Sequence, residues 1–195
     1  MPLMTLRGTF TMRKSIYYFT MSLDGYIADS NGSVDWMTGA PNIDYGFQDF
    51  YNEVGTVLLG STTYRYMLEM GDFFPYPDRD VIVFSSNDKL KLAADSVQLS
   101  QDDPTKVLAR LQLEDEDKGY IWVGGGGTLA ASLFEAGLID ELRVFIQPVI
   151  LGSGTKALCK DVLTSRALEL LSTKEWPAGI VELRYLVPKR WRSDL

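Results

Sequence analysis

Four consecutive glycines, Gly124, Gly125, Gly126 and Gly127, stand between the apolar run Tyr120-Ile121-Trp122-Val123 and a helix-like stretch that opens at Thr128. Without Cβ atoms, such a segment lets a ligand touch the backbone and gathers several N–H groups at the positive end of a helix. That chemistry suits an anion, and a pyrophosphate is its natural occupant. The run is not a Walker loop, because no Gly-Lys-Ser/Thr follows, and Leu129 takes the place of the last glycine in Gly-x-Gly-x-x-Gly. A tight strand-to-helix turn would also use glycine for packing. Two glycines would satisfy such a turn, and four favour a ligand.

Two other turns have the same character. Gly60-Ser61-Thr62-Thr63 follows the apolar run 56–59, and Ser85-Ser86-Asn87 follows 81–84. Their hydroxyls can cap helices or meet phosphate. Three such turns would lie along one edge of a sheet with parallel strands, where α/β proteins bind ligands. A candidate acid is Asp44, which shares the apolar face of a helical pattern with Phe47 and Tyr51. Two roles are open to it: helix N-cap, or a partly desolvated carboxylate that hydrogen-bonds a heterocycle and helps to supply a proton. Asp24-Gly25 by itself reads as a turn. Trp36, with Tyr17, Tyr18, Phe47, Phe50 and Tyr51, forms either core or a stacking wall for a flat ring.

Composition narrows the chemistry. The 195 residues include no histidine and one cysteine, which removes Ser-His, Cys-His and His-ligated metal sites and any internal disulfide. No metal site is expected. With a net charge of −7, nucleic acid and anionic membranes are poor partners, although a helix end can still hold a small anion. No apolar run approaches the roughly 18 residues that span a bilayer. The expected setting is the cytoplasm.

The elements that must position these residues alternate between strand and helix patterns. Strands are expected over 15–21, 56–59, 81–84, 97–99, 120–123, 142–146 and 149–151. Helices are expected over 44–54, from 61 to 69, over 104–113 with Asp102 or Asp103 as N-cap, and over 128–136. The last third, 167–174 and 179–187 around Trp176-Pro177-Ala178-Gly179, reads as an antiparallel hairpin at the sheet edge. The fold class is therefore a three-layer α/β domain with a mixed, mainly parallel sheet. One domain covers 13–190, after an irregular extension over 1–12. The hairpin would leave an apolar edge that a second copy of the chain could cover, hence a homodimer.

Several segments together resemble the dihydrofolate reductase-like superfamily. In order they are Met21-Ser22-Leu23-Asp24-Gly25-Tyr26-Ile27-Ala28, Leu58-Leu59-Gly60-Ser61-Thr62-Thr63-Tyr64, Val81-Ile82-Val83-Phe84-Ser85-Ser86, Val123 to Thr128, and Gln147-Pro148-Val149-Ile150-Leu151-Gly152-Ser153-Gly154. The likeness is nearest the bacterial branch that includes the reductase domain of the riboflavin-pathway deaminase/reductase. It implies a dihydrofolate reductase-like fold that binds extended NADPH and reduces a small heterocycle, as in the reduction of 5-amino-6-(5-phosphoribosylamino)uracil. Dihydrofolate reduction and a non-catalytic nucleotide-binding module are the alternatives. The resemblance implies that Val123, Gly124, Gly125, Gly126, Gly127 and Thr128 meet the pyrophosphate and nicotinamide side. Gly60, Ser61, Thr62, Thr63, Ser85 and Ser86 would line the adenosine side. Asp24 and Asp44 would be the catalytic acids facing the substrate, with Trp36 beside them. In that family the second turn reads Gly-Arg-x-Thr, its arginine meeting the 2′-phosphate of the cofactor. Here Ser61 holds that position and Arg65 lies one helical turn on, so NADH is the other candidate cofactor. The acid in true dihydrofolate reductases follows the tryptophan closely, whereas Asp44 comes eight residues after Trp36.

Overall fold

The computed structural model describes residues 12–40, 42–71, 74–159 and 165–189; most of the expected extension over 1–12 lies outside them. The chain runs through β1 (Ser15–Ser22), β2 (Tyr26–Ala28), α1 (Phe47–Asn52), β3 (Val54–Gly60), α2 (Ser61–Glu69), β4 (Asp80–Phe84) and β5 (Val97–Ser100). It continues through α3 (Pro104–Gln112), β6 (Tyr120–Gly125), α4 (Gly127–Glu135), β7 (Glu141–Gln147), β8 (Thr155–Lys156), β9 (Glu169–Trp176) and β10 (Ile180–Leu186). Eight strands form one sheet in the order β5-β4-β3-β6-β1-β7-β10-β9. The first six run parallel, and β10 pairs antiparallel with both β7 and β9. From β3 the chain steps outward to β4 and β5, then returns through α3 to β6 on the other side of β3. The gap between the ends of β3 and β6 is thus a topological switch point, where open α/β sheets bind ligands.

Alternation along the parallel strands divides the core between two faces. Tyr17, Leu58, Ile121, Val123 and Val144 pack with Leu108, Leu133 and Phe134 of α3 and α4. Ile16, Val57, Leu59, Val81, Val83 and Trp122 pack with Phe50, Tyr51 and Tyr64 on the α1 and α2 side. Both faces are covered, so the strands read as near-continuous apolar runs. The fold is the expected three-layer α/β arrangement with a mixed sheet and a C-terminal antiparallel hairpin.

Three boundaries differ from the expectation. The helix expected over 44–54 is only the six residues of α1. Tyr45 and Gly46 have φ of 53° and 72°, which delays its start, and β-branched Val54 begins β3 instead. Residues 149–151 form no strand. Pro148 has no N–H to continue a ladder, and the Val149 N–H turns back to the Gln147 carbonyl at 2.8 Å. The glycine run does not lie wholly after its strand, because β6 continues through Gly125.

Polar groups lock the edge opposite the switch point. Arg13, 2% exposed, donates to the Gly119 carbonyl at 2.8 Å, to Thr56 Oγ1 at 2.9 Å and to Glu114 at 2.8 Å. Glu141 of β7 is fully buried and accepts from Lys14 on one oxygen and from Arg184 of β10, at 2.8 Å, on the other. It joins the parallel half of the sheet to the antiparallel hairpin. Burial pushes its carboxyl up, but Arg184 and Lys14 outweigh that, so the net shift is downward. A depressed carboxyl contributes stability above its unfolded value, near 4.3, and loses it as the pH falls. Glu141→Gln is therefore expected to cost about 1–3 kcal/mol at neutral pH. In urea titrations the variant should also lose less stability than the parent between neutral and acidic pH; an equal acid loss in both would refute this role.

Candidate functional site

The four glycines divide between strand and helix. Gly124 and Gly125 complete β6, Gly126 is the N-cap of α4, and Gly127 is its first residue. Across the β3–β6 ladder Leu58 faces Val123 and Leu59 faces Gly125, so Gly124 is bulged out of register. Gly125 has φ of 106°, a conformation that favours glycine. A Cβ on Gly127 would lie 2.2 Å from the Lys156 carbonyl oxygen and 2.6 Å from Cys159 Sγ. Gly126 is under neither constraint: the nearest atom to an added Cβ is Thr63 Oγ1, at 3.2 Å.

The end of β3 has a matching construction. Gly60 closes the strand and N-caps α2, and an added Cβ there would stand 3.4 Å from the Gly126 backbone nitrogen. Two helix N-termini therefore open side by side. Neither has a side-chain cap, whereas at α3 the Asp103 carboxylate accepts from the Thr105 N–H at 2.9 Å. The first-turn N–H groups of α2 and α4 are left to whatever enters the space between them.

That space is a cavity of about 860 Å³ curling over the C-terminal edge of the parallel strands. Its middle is walled by Gly60, Ser61, Thr62 and Thr63 and by Gly124 through Thr128. One end is bounded by Phe84, Pro104 and Ser132, and the other by Tyr18, Thr20, Phe47, Tyr76 and Trp122, with Val34 and Met37 above. Among the described residues, no Asp, Glu, Lys or Arg side chain lines it. The volume is that of a small-molecule or cofactor site.

The aromatic end is closely packed. The Tyr18 ring stacks on Phe50 with centroids 4.5 Å apart and touches Phe145 at 4.9 Å and Trp122 at 6.1 Å. Tyr76 meets Trp122 edge-on at 4.9 Å. Outside the cavity wall, the Arg143 guanidinium stands 5.3 Å from the Tyr18 centroid. Arg143 Nε donates to Glu182 at 2.6 Å, and Trp176 Nε1 donates to the other oxygen of Glu182 at 2.9 Å. Burial pushes the Tyr18 hydroxyl well up despite the opposing pull of Arg143. It also pushes Tyr76 up to about 12. Both hydroxyls stay protonated at neutral pH.

The residues expected to meet a cofactor separate into two groups. Gly60, Ser61, Thr62, Thr63, Gly124, Gly125, Gly126, Gly127 and Thr128 all reach the cavity. Ser85, Ser86 and Val123 are not in its wall: Ser85 Oγ accepts from the Asn87 N–H at 3.0 Å within its own turn, Ser86 is exposed, and the Val123 side chain is core. Nor does the wall include Asp24, Trp36 or Asp44, which were expected to face the substrate. Asp24 accepts from Ser22 Oγ at 2.6 Å and from the N–H groups of Leu151 and Gly152 at 3.1 and 2.7 Å. Those bonds, the serine foremost, bring its carboxyl to about 2. Asp44 is exposed and accepts from the Gln48 N–H at the start of α1. The Trp36 indole donates to the Ser33 carbonyl at 3.1 Å, in the loop whose neighbours Val34 and Met37 do reach the cavity.

Sequence reasoning missed Tyr66, Met67, Tyr76, Trp122 and Ser132 as wall residues. For three of them a signal was available. Tyr66 and Met67 follow Thr63 at i+3 and i+4, and Ser132 follows Thr128 at i+4, so each shares a helix face with a residue already singled out. Tyr76 follows irregular chain, and nothing local marks it.

Comparison with known proteins agrees with this construction. The model of the RibD C-terminal domain matches residues 13–181. Uncharacterized protein YwjB of Bacillus subtilis (strain 168) is 34% identical over 176 residues, which are 89% of this chain and 98% of that protein. Dihydrofolate reductase from Enterococcus faecalis, complexed with NADP(H) and RAB-propyl, superposes with a TM-score of 0.66 at 19% identity, covering 92% of this chain and 99% of that one. The diaminohydroxyphosphoribosylaminopyrimidine deaminase/5-amino-6-(5-phosphoribosylamino)uracil reductase of Thermotoga maritima gives a TM-score of 0.67 at 17% identity, covering 91% of this chain and 57% of that one. These two likenesses establish the dihydrofolate reductase-like fold. The extent of the family match and the YwjB identity go further: the chain belongs to the RibD C-terminal domain family.

Proposed function

We propose that the protein is an NADPH-dependent reductase of a small planar heterocycle, the cofactor lying along the cavity between the ends of β3 and β6. One observation carries this reading: two helix N-termini without side-chain caps and two glycine-ended strands converge on a single cavity of about 860 Å³. The fit of a dinucleotide rests on these groups. The first-turn N–H groups of α4, with Gly126 offering bare backbone, would hold the pyrophosphate. Ser61, Thr62 and Thr63 at the start of α2 would hold the adenosine side. The nicotinamide would lie toward Tyr18 and Trp122, where a flat ring finds aromatic walls. When bound, the cofactor supplies the hydride. The chain's own contribution is to hold two rings in register and to exclude water from between them.

Dihydrofolate reduction is the weaker reading, because neither Asp24 nor Asp44 reaches the cavity wall to meet a pterin. In the proposed reading Asp24 fixes the loop at 151–152 and Asp44 holds the start of α1. A soluble nicotinamide pool makes the cytoplasm the natural setting. The proposal includes a homodimer through β9, an edge strand whose Leu170 and Leu171 are 53% and 45% exposed. A monomer mass by light scattering at micromolar concentration would count against the dimer.

Titration of tryptophan fluorescence, with Trp122 in the cavity wall, tests the cofactor. Saturable quenching by NADPH or NADH is expected; no binding of either at millimolar concentration would remove the proposal. Ser61→Arg should move the preference toward NADPH by about tenfold, as one added phosphate-facing cation can. Two glycine variants separate binding from packing. Gly126→Ala, at φ of −78°, should leave stability within about 1 kcal/mol and weaken NADPH by roughly tenfold or more. Gly127→Ala should lower stability by about 1–3 kcal/mol through overpacking against Lys156. Equal cofactor affinity in Gly126→Ala and the parent would contradict the proposed pyrophosphate position.

A further inference from the structure

Along β1 and β6, Tyr17 pairs with Val123, so Tyr18 stands one residue further, level with Gly124 at the start of the glycine turn. Its ring is held by Phe50, Phe145 and Trp122 and by the guanidinium of Arg143. Arg143 in turn is fixed by Glu182, whose second oxygen is taken by the Trp176 indole. The ring therefore has little freedom to turn. Of the other tyrosine hydroxyls near the site, Tyr17 donates to the Ala157 carbonyl at 2.8 Å and Tyr51 donates to Asp78. Tyr66 and Tyr76 also line the cavity without such a bond among the described residues, but it is the Tyr18 ring that the Arg143 guanidinium backs. The Tyr18 hydroxyl has no such partner among the described residues, and its residue lines the cavity.

With no charged side chain in the wall, recognition of a substrate falls to neutral donors and aromatic faces. We propose that Tyr18 is the substrate-recognising hydrogen-bond donor, and that the substrate end takes an uncharged planar heterocycle presenting a carbonyl or ring-nitrogen acceptor rather than a phosphorylated one. This deepens the reductase reading and rests on it for the location of the substrate end. The hydroxyl donates without ionising, since burial opposes the phenolate. A neutral donor in a dry aromatic site discriminates strongly, because an analogue without an acceptor leaves it unpaired. A phosphate at that end would find no Lys or Arg among the described wall residues and would give up its hydration for nothing.

Uridine and uridine 5′-monophosphate test this directly, since they share a carbonyl-bearing ring and differ by one phosphate. Binding is read by calorimetry to the parent protein, Tyr18→Phe and Tyr76→Phe, each with and without saturating NADP+. Uridine is expected to bind the parent, to weaken roughly tenfold in Tyr18→Phe, as loss of a buried hydrogen bond to the ring would give, and to change by less than about threefold in Tyr76→Phe. With NADP+ filling the helix ends, the monophosphate should bind no tighter than uridine. Unchanged uridine affinity in Tyr18→Phe, or no uridine binding to the parent at millimolar concentration, overturns the role of Tyr18. A monophosphate that binds more than tenfold tighter overturns the uncharged class. Failure of the cofactor reading would appear separately, as absent NADP+ binding in proteins that still respond to uridine. An unchanged urea midpoint in Tyr18→Phe keeps a misfolded variant from imitating the expected result.

Discussion

Everything at the site depends on how closely the start of α4 approaches the segment 156–159. Gly127 lies against the Lys156 carbonyl, and its own carbonyl accepts from the Cys159 N–H at 3.2 Å. A Cβ there would overlap the Lys156 carbonyl oxygen, so any other residue forces the two segments apart. This contact fixes where α4 begins and so where its N–H groups point. The bulge at Gly124 and the positive φ of Gly125 accompany it. The strand must turn within a few residues to deliver the helix start to that position. Three of the four glycines thus answer to the fold. The fourth, Gly126, holds its bare backbone toward the neighbouring turn at Thr63 and the cavity.

That division explains what the sequence could and could not reveal. The β-rich runs, the helix faces and the hairpin are local patterns, and the fold follows from them almost strand for strand. The glycine run is legible as a special turn, but its count alone does not separate ligand from fold, since bulge, φ and close approach each account for one glycine. The conformations that shortened α1 at Tyr45 and Gly46 left no comparable mark. The carboxylates are hard to read for a different reason. Asp24 and Asp44 sit beside strongly patterned elements, and only the three-dimensional structure shows their oxygens engaged by Ser22, Leu151 and Gly152 in one case and by Gln48 in the other. Local spacing says which face a side chain takes, not which distant N–H groups meet it.

The aromatic end depends on an ion pair outside the cavity. Arg143 and Glu182 lie on adjacent antiparallel strands, buried under Tyr18, Phe50 and Trp176. A buried ion pair is seldom a net source of stability, because desolvation offsets much of the attraction. Its value here is positional. The guanidinium stacks against the Tyr18 ring and is held in turn by the carboxylate, so the ring is fixed from behind in a residue that lines the cavity. The antiparallel hairpin, which contributes nothing to the cavity wall itself, supports the site through this contact.

A chain with net charge −7 is an unlikely-looking host for an anionic cofactor until the charges are located. Asp24, Asp44 and Asp78 are held at loop and helix ends, and Glu141 and Glu182 are paired within the sheet. The cavity itself contains no carboxylate among its described lining residues. In that neutral, partly enclosed space the partial positive ends of α2 and α4, about half a charge each, meet no competing negative side chain. Their effect is short-ranged and greatest where water is displaced. The acidic surface lies in high dielectric beyond, where about 8–10 Å of salt solution screens it. Local backbone dipoles therefore set the sign of the field that a ligand meets in the cleft, and the total charge of the protein does not.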